Sequence, residues 1–100
     1  MKIKPKSIEN EEDLVSSQPG DLMLVATPNR QIKYVVYEGE TREGKYSFRE
    51  HRRGCDFVYR SGLESLRFGM TNSSNPIKGI GVIVFEDPQS LFYIERRETE

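Results

Sequence analysis

The chain has no tryptophan, one cysteine and one histidine in 100 residues. A single cysteine cannot close an internal disulfide, which fits a reducing compartment. One histidine and one cysteine cannot furnish the four ligands of a structural zinc site. The acidic residues lack the interleaved spacing of a calcium loop, so neither a metal nor another cofactor is expected. Long hydrophobic runs are missing too: the longest, Leu22 to Ala26 and Val82 to Phe85, are strand-sized, far short of the roughly 20 residues a membrane helix needs. The basic start, Met1 to Lys6, is not followed by an apolar segment, so a secretory signal is not expected. Without that route, the Asn72-Ser73-Ser74 sequon reads as a chance match. These absences lead to the expectation of a soluble, cytoplasmic protein with no membrane contact. Charge of one sign is also scarce: 15 Lys and Arg against 16 Asp and Glu leave a net charge of -1. Any affinity for phosphates must then come from local segregation of charge.

What is present is a polar but foldable composition, with 35% hydrophobic, 31% charged and 10% aromatic residues. That length supports one modest core. The chain is therefore read as a single domain, 1–100, with residues 1–20 as an N-terminal flank and 21–96 as a β core.

Ser7 to Ser17 reads as a short helix, capped by Asn10 and carrying Glu11, Glu12 and Asp13 in its first turn, where the helix dipole favours negative charge. Ile8, Leu14 and Val15 are its only candidates for core contact, and Pro19-Gly20 stops it. From Asp21 the apolar period becomes two. Leu22, Leu24 and Ala26 alternate, as do Ile32, Tyr34 and Val36 beyond "TPNR", and a turn there pairs them in register on one expected buried face. "GETREG", residues 39–44, is a polar loop. "KYSFREHR" and "CDFVYR" form a second hairpin across Arg53-Gly54, pairing Arg52 with Cys55, His51 with Asp56 and Phe48 with Tyr59. Ser61 and Glu64 resemble a capping box, and Leu63, Leu66 and Met70 follow helical spacing. A helical turn is therefore expected near residues 62–68, with an edge strand as the alternative. "GIGVIVFE" and "SLFYIERR" read as a last hairpin across "EDPQ".

The resulting fold class is mainly β: a small barrel or strongly bent antiparallel sheet of about six strands, since a flat sheet would leave open edges and one bare apolar face. The helix followed by "PGDLMLV" resembles the opening of many SH3-like small barrels, a fold-level likeness that carries no function. The expected core comprises Leu22, Leu24, Tyr34, Val36, Phe48, Phe57, Tyr59, Val82, Val84, Leu91 and Tyr93.

A Cys–His nucleophilic pair needs thiol and imidazole within hydrogen-bond reach. The hairpin register places His51 and Cys55 on opposite faces, with Cys55 beside Phe57 and Tyr59 as a small buried hydrophobe. Gly79-Ile80-Gly81 precedes a strand, lacking the helix N-terminus that would hold a phosphate. No acid, base and nucleophile can be named together, so no catalytic residue is assigned and the balance falls against an enzyme. The remaining signal is a basic stripe: Lys45, Arg49, His51 and Arg60 on one side of the hairpin, with Arg53 at its turn. The chain is accordingly expected to be a docking module for another macromolecule, first a protein, with nucleic acid as the alternative partner of the same five residues. A water-facing sheet surface with no partner at all would carry similar charges. Met23, Val25, Val35 and Tyr37 form a second apolar set, either a protein-binding patch or a surface covered by the N-terminal helix.

Overall fold

In the computed structural model residues 4–27, 31–71, 79–86 and 95–98 are described, Arg52 and the last four by their backbone alone. The apolar alternation from residue 21 becomes two antiparallel strands, β1 (Leu22–Ala26) and β2 (Ile32–Glu40), in the register set by their pattern: Leu22 opposite Val36, Leu24 opposite Tyr34, Ala26 opposite Ile32. The Thr27 N–H donates to the Gln31 carbonyl at 2.9 Å and closes the hairpin mouth; the turn itself, 28–30, lies outside the described residues. β3 (Lys45–Arg52) and β4 (Cys55–Gly62) pair with the expected partners throughout. Their turn is of type I′, with Arg53 at φ 52° and Gly54 at φ 80°.

β5 (Leu66–Met70), β6 (Gly81–Phe85) and β7 (Glu95–Glu98) complete one seven-stranded sheet in the order β5-β6-β1-β2-β3-β4-β7. The expected last hairpin is not found among the described residues, and its turn and most of its second strand, 87–94, lie outside them. β6 pairs antiparallel with β5 and parallel with β1, while β7 pairs with β4 at the opposite end. Composition explains the separation. Val82, Ile83 and Phe85 of β6 are all buried, which suits an interior strand, whereas the Glu-Arg-Arg-Glu of β7 suits an edge. The parallel pairing of β6 with β1 also departs from the all-antiparallel expectation. Core candidates Leu91 and Tyr93 lie outside the described residues.

The helical turn expected over 62–68 shrinks to one 3-10 turn, Leu63–Ser65, and the chain continues as β5. Leu66 and Phe68 pair with Phe85 and Ile83, with Arg67 facing the other way, so period two prevails. Ser61 does not cap: its hydroxyl donates to the Gly62 carbonyl at 3.0 Å.

The sheet is strongly curled. Flat spacing of about 4.8 Å per strand would put β6 about 19 Å from β4, yet the rings of Tyr59 and Phe85 are 6.2 Å apart and those of Phe48 and Phe85 6.0 Å. Among the described residues the end strands β5 and β7 do not pair with each other, so the sheet is not closed into a barrel.

The hollow of the curl holds Met23, Val25, Val35, Tyr37, Tyr46, Phe48, Tyr59, Leu66, Ile83 and Phe85. Two residues of the N-terminal flank, Ile8 and Leu14, are fully buried among them. The helix α1 is only Glu11–Val15, with the Asn10 side chain accepting from the Asp13 N–H as expected, and Val15 points to solvent. The residues before it form an extended strap. The Lys6 N–H donates to the Leu22 carbonyl at 2.7 Å, and the Gly81 N–H donates to Ser7 Oγ at 2.8 Å, so the strap lies between β1 and β6.

The expected buried face of β1 and β2 is therefore inverted. Met23, Val25, Val35 and Tyr37 face the hollow, while Tyr34 and Ile32 are 51% and 36% exposed and Leu22 and Val36 half-buried. A β-bulge is the cause. β2 pairs with β3 as Gly39 with Ser47, but as Tyr37 with Phe48, a slip of one residue between the two. Gly39, at φ 101°, takes a left-handed backbone conformation there that suits glycine. Carried on without the slip, the pairing would set Tyr37 against Arg49; with it, Tyr37 joins Phe48 and the whole of β1–β2 turns over. Leu24, Val58 and Val82 are also buried, on the other face of the sheet.

Candidate functional site

Among its polar groups the inner face carries the carboxylate of Glu50, opposite Phe57 on β4. It is nearly buried and fully engaged: Tyr59 Oη donates to Oε1 at 2.7 Å and Lys33 Nζ lies 3.4 Å from Oε2. This trio answers the electrostatic demand of a charge brought into the core. Tyr37 and Tyr46 stack 6.3 Å apart. Burial, then the neighbouring Tyr46 and Glu40, pushes the Tyr37 hydroxyl up to about 12. Burial also raises Tyr46, helped by Glu40 and Glu11. Both phenols stay protonated at neutral pH, so neither offers a base or an anion.

The outer face of β3–β4 carries the basic residues that the sequence singled out. Alternation keeps Lys45, Arg49, His51 and Arg60 on this side, opposite Gly62, Val58, Asp56 and Ser47 respectively. They do not form one equivalent stripe. His51 Nδ1 sits 2.8 Å from Asp56 Oδ1. Arg49 lies between two carboxylates, 3.4 Å from Glu38 and 3.9 Å from Asp56. Arg60 is half-buried, while Lys45 and Arg53 are exposed at opposite ends of the hairpin, about 26 Å apart along the strand. The five are thus split into a neutralised centre and two separate exposed ends.

Cys55 is half-buried and lies one pair above Asp56 in the ladder, on the face opposite to His51. The thiol and imidazole are not brought together. β7 lies along β4, with Arg97 level with Asp56 and Glu95 level with Val58.

The sequence reading missed Tyr34. The last β2–β3 pair is Val36 with Arg49, and by alternation Tyr34 and Ile32 follow Val36 on the same outer face, in the direction of the β3–β4 turn. An exposed aromatic and an exposed isoleucine therefore share the face that carries Arg49 and His51. The signal was the glycine in "YEGE": a bulge there reverses which residues of β2 are wet. Among the described residues no helix is long and apolar enough to cross a membrane. No protein-family model, no curated protein and no solved structure matches this chain.

Proposed function

We propose that this chain is a small non-enzymatic β module that docks onto another protein, as an adaptor, an inhibitor or an assembly component. One contrast carries the reading. The inner face is covered by the chain's own Ile8 and Leu14, so the second apolar set, Met23, Val25, Val35 and Tyr37, is taken up by the core. The outer face instead presents Tyr34, Ile32 and His51 to solvent beside Arg49 and Arg53. Tyrosine and arginine are the residue types that most often anchor protein interfaces. In this reading Lys45, Arg49, His51, Arg53 and Arg60 belong to the partner surface, with Arg49 and His51 contributing matched polar contacts rather than bare charge. The small, SH3-like barrel remains the architecture that the curl would approach, and the cytoplasm the compartment that suits the free Cys55.

One observation favours nucleic acid as a second reading: Tyr34 shares a face with Arg49 and His51, which gives a base something to stack on. Against it, Glu38 and Asp56 already neutralise Arg49, and a phosphate chain would meet those carboxylates. Co-purification from the native cell extract, with and without nuclease, separates the two. A protein retained after nuclease, released only gradually by salt and lost with Tyr34→Ala, supports the module. Capture abolished by nuclease, with log affinity falling steeply and linearly with log salt, refutes protein docking and selects nucleic acid.

A further inference from the structure

We infer that the end of the outer face nearest the β3–β4 turn, made by Ile32, Tyr34, His51 and Arg53, binds an acidic protein segment that carries an apolar side chain beside its carboxylate. This rests on the docking reading above and specifies its partner.

Arg53 carries backbone strain. A type I′ turn needs both central residues at positive φ, and asparagine, aspartate or glycine fills the first place with least strain. Here that place holds arginine at φ 52°. A long side chain kept in a conformation that disfavours it, at an exposed tip, points to a use for the side chain itself.

Charge adds to this. Lys6, Lys33, Arg49, His51 and Arg67 each lie beside a carboxylate of this chain. Among the described residues Arg53, like Lys4, Arg42 and Lys45, forms no such pair and is exposed, and of these four Arg53 is the one at the β3–β4 turn. Its fork of donors suits a carboxylate, which it can hold by two parallel hydrogen bonds.

The same face also bears apolar surface. Tyr34 and Ile32 lie on the side of β2 that carries Val36, the partner of Arg49, towards the β3–β4 turn, and remain 51% and 36% exposed. A ligand offering only negative charge would leave them wet; a leucine or phenylalanine next to the acid would cover them. A phosphate backbone fits less well, since it needs several uncompensated cations in line, and Arg49, the arginine on the outer face of β3, is held by Glu38 and Asp56.

The test is selection of a phage-displayed random 12-residue peptide library on the full chain, then fluorescence titration of the selected peptides against the parent, Arg53→Asn and Tyr34→Ala. The expected peptides place Asp or Glu next to an apolar residue, and each substitution weakens them roughly tenfold, as loss of an interface anchor does. Arg53→Asn relaxes the turn, so its urea midpoint should rise while binding falls, which excludes unfolding as the cause. Selection of basic or uncharged peptides, or of none, overturns the inference. Acidic peptides that bind both variants as they bind the parent overturn the assignment to this surface and leave protein docking standing. No selected peptide together with nuclease-sensitive capture removes both.

Discussion

Gly81→Ala should detach the N-terminal strap. Gly81 has ordinary extended backbone, so alanine is conformationally allowed and by itself would stabilise by about 0.4 to 1 kcal/mol through the unfolded chain. Space decides otherwise. A Cβ at position 81 would lie 2.5 Å from the carbonyl oxygen of Ile8, 2.6 Å from its carbonyl carbon and 2.7 Å from its nitrogen. Ordinary contact begins near 3.4 Å, so the strap must retreat by about 0.9 Å, the difference between 3.4 and 2.5. The obstructing atoms are backbone, with no side-chain rotamer to absorb the movement. A retreat on that scale breaks the 2.8 Å bond from the Gly81 N–H to Ser7 Oγ and withdraws Ile8 from the core. Losing the burial of Ile8 alone costs about 1.5 to 3 kcal/mol, and losing Leu14 with it doubles that. Against a gain of at most about 1 kcal/mol, the net expectation is a loss of about 0.5 to 5 kcal/mol. Urea unfolding measures the loss, and hydrogen exchange at residues 6–15 locates it. A midpoint at or above that of the parent, with the strap amides protected as before, would refute the strap as a fixed part of the core.

Phe48→Ala should cost about 3 to 5 kcal/mol in urea unfolding, the usual range for a fully buried phenylalanine, whereas Phe57→Ala should cost clearly less because Phe57 is only half-buried; equal losses would mean the hollow extends further towards the turn than described. Tyr59→Phe removes the 2.7 Å donor to the Glu50 carboxylate, and the expected loss is about 1.5 to 3 kcal/mol, typical of a hydrogen bond to a charged group; an unchanged midpoint would show that Lys33 alone satisfies Glu50. The contribution of the Tyr37 hydroxyl to stability should be level below pH 10, where it is protonated in both states, and fall as pH rises towards 12, because that hydroxyl is held to about 12 in the fold against 10 unfolded. That fall is about 2 to 3 kcal/mol. Tyr37→Phe should flatten it, and a decline of the same steepness in that variant would place the alkaline weakness elsewhere.

Local pairings were legible because turn chemistry and alternation act over a few residues. Arg53-Gly54 sets the β3–β4 register, and the matched triplets of β1 and β2 set theirs. The choice of face was not legible in the same way. "LMLVA" is apolar at every position, and β2 offers Tyr34 and Val36 on one side against Val35 and Tyr37 on the other. Either side could fill a core, and alternation within the hairpin cannot choose. The bulge at Gly39 and the cover supplied by Ile8 and Leu14 decide it, and both depend on contacts distant in sequence. The same holds for β6, whose parallel place beside β1 follows from burial on both faces rather than from its neighbour in the chain. In the candidate site, the common side of Lys45, Arg49, His51 and Arg60 followed from period two. The neutralising role of Glu38 did not, because it reaches Arg49 from another strand, and the exposure of Tyr34 was hidden by the inverted face.

The bulge at Gly39 has a consequence for descent. In most surface connections a gained or lost residue alters a loop and little else. In β2 the bulge inserts Glu38 between the pairs Tyr37–Phe48 and Gly39–Ser47. Deleting that one residue would restore an unbroken ladder and leave both pairs, and with them both sides of the β1–β2 hairpin, as they are. Closing the slip with the residue kept would do the opposite, setting Tyr37 against Arg49 and turning Tyr34 inward. A sequence with a gap at this point would thus keep its outer surface, whereas one of equal length that puts a β-branched residue in place of Gly39, where φ is 101°, would trade one tyrosine for another. When relatives of this chain are compared, the glycine of "YEGE" therefore says more about a shared partner than the length of the segment.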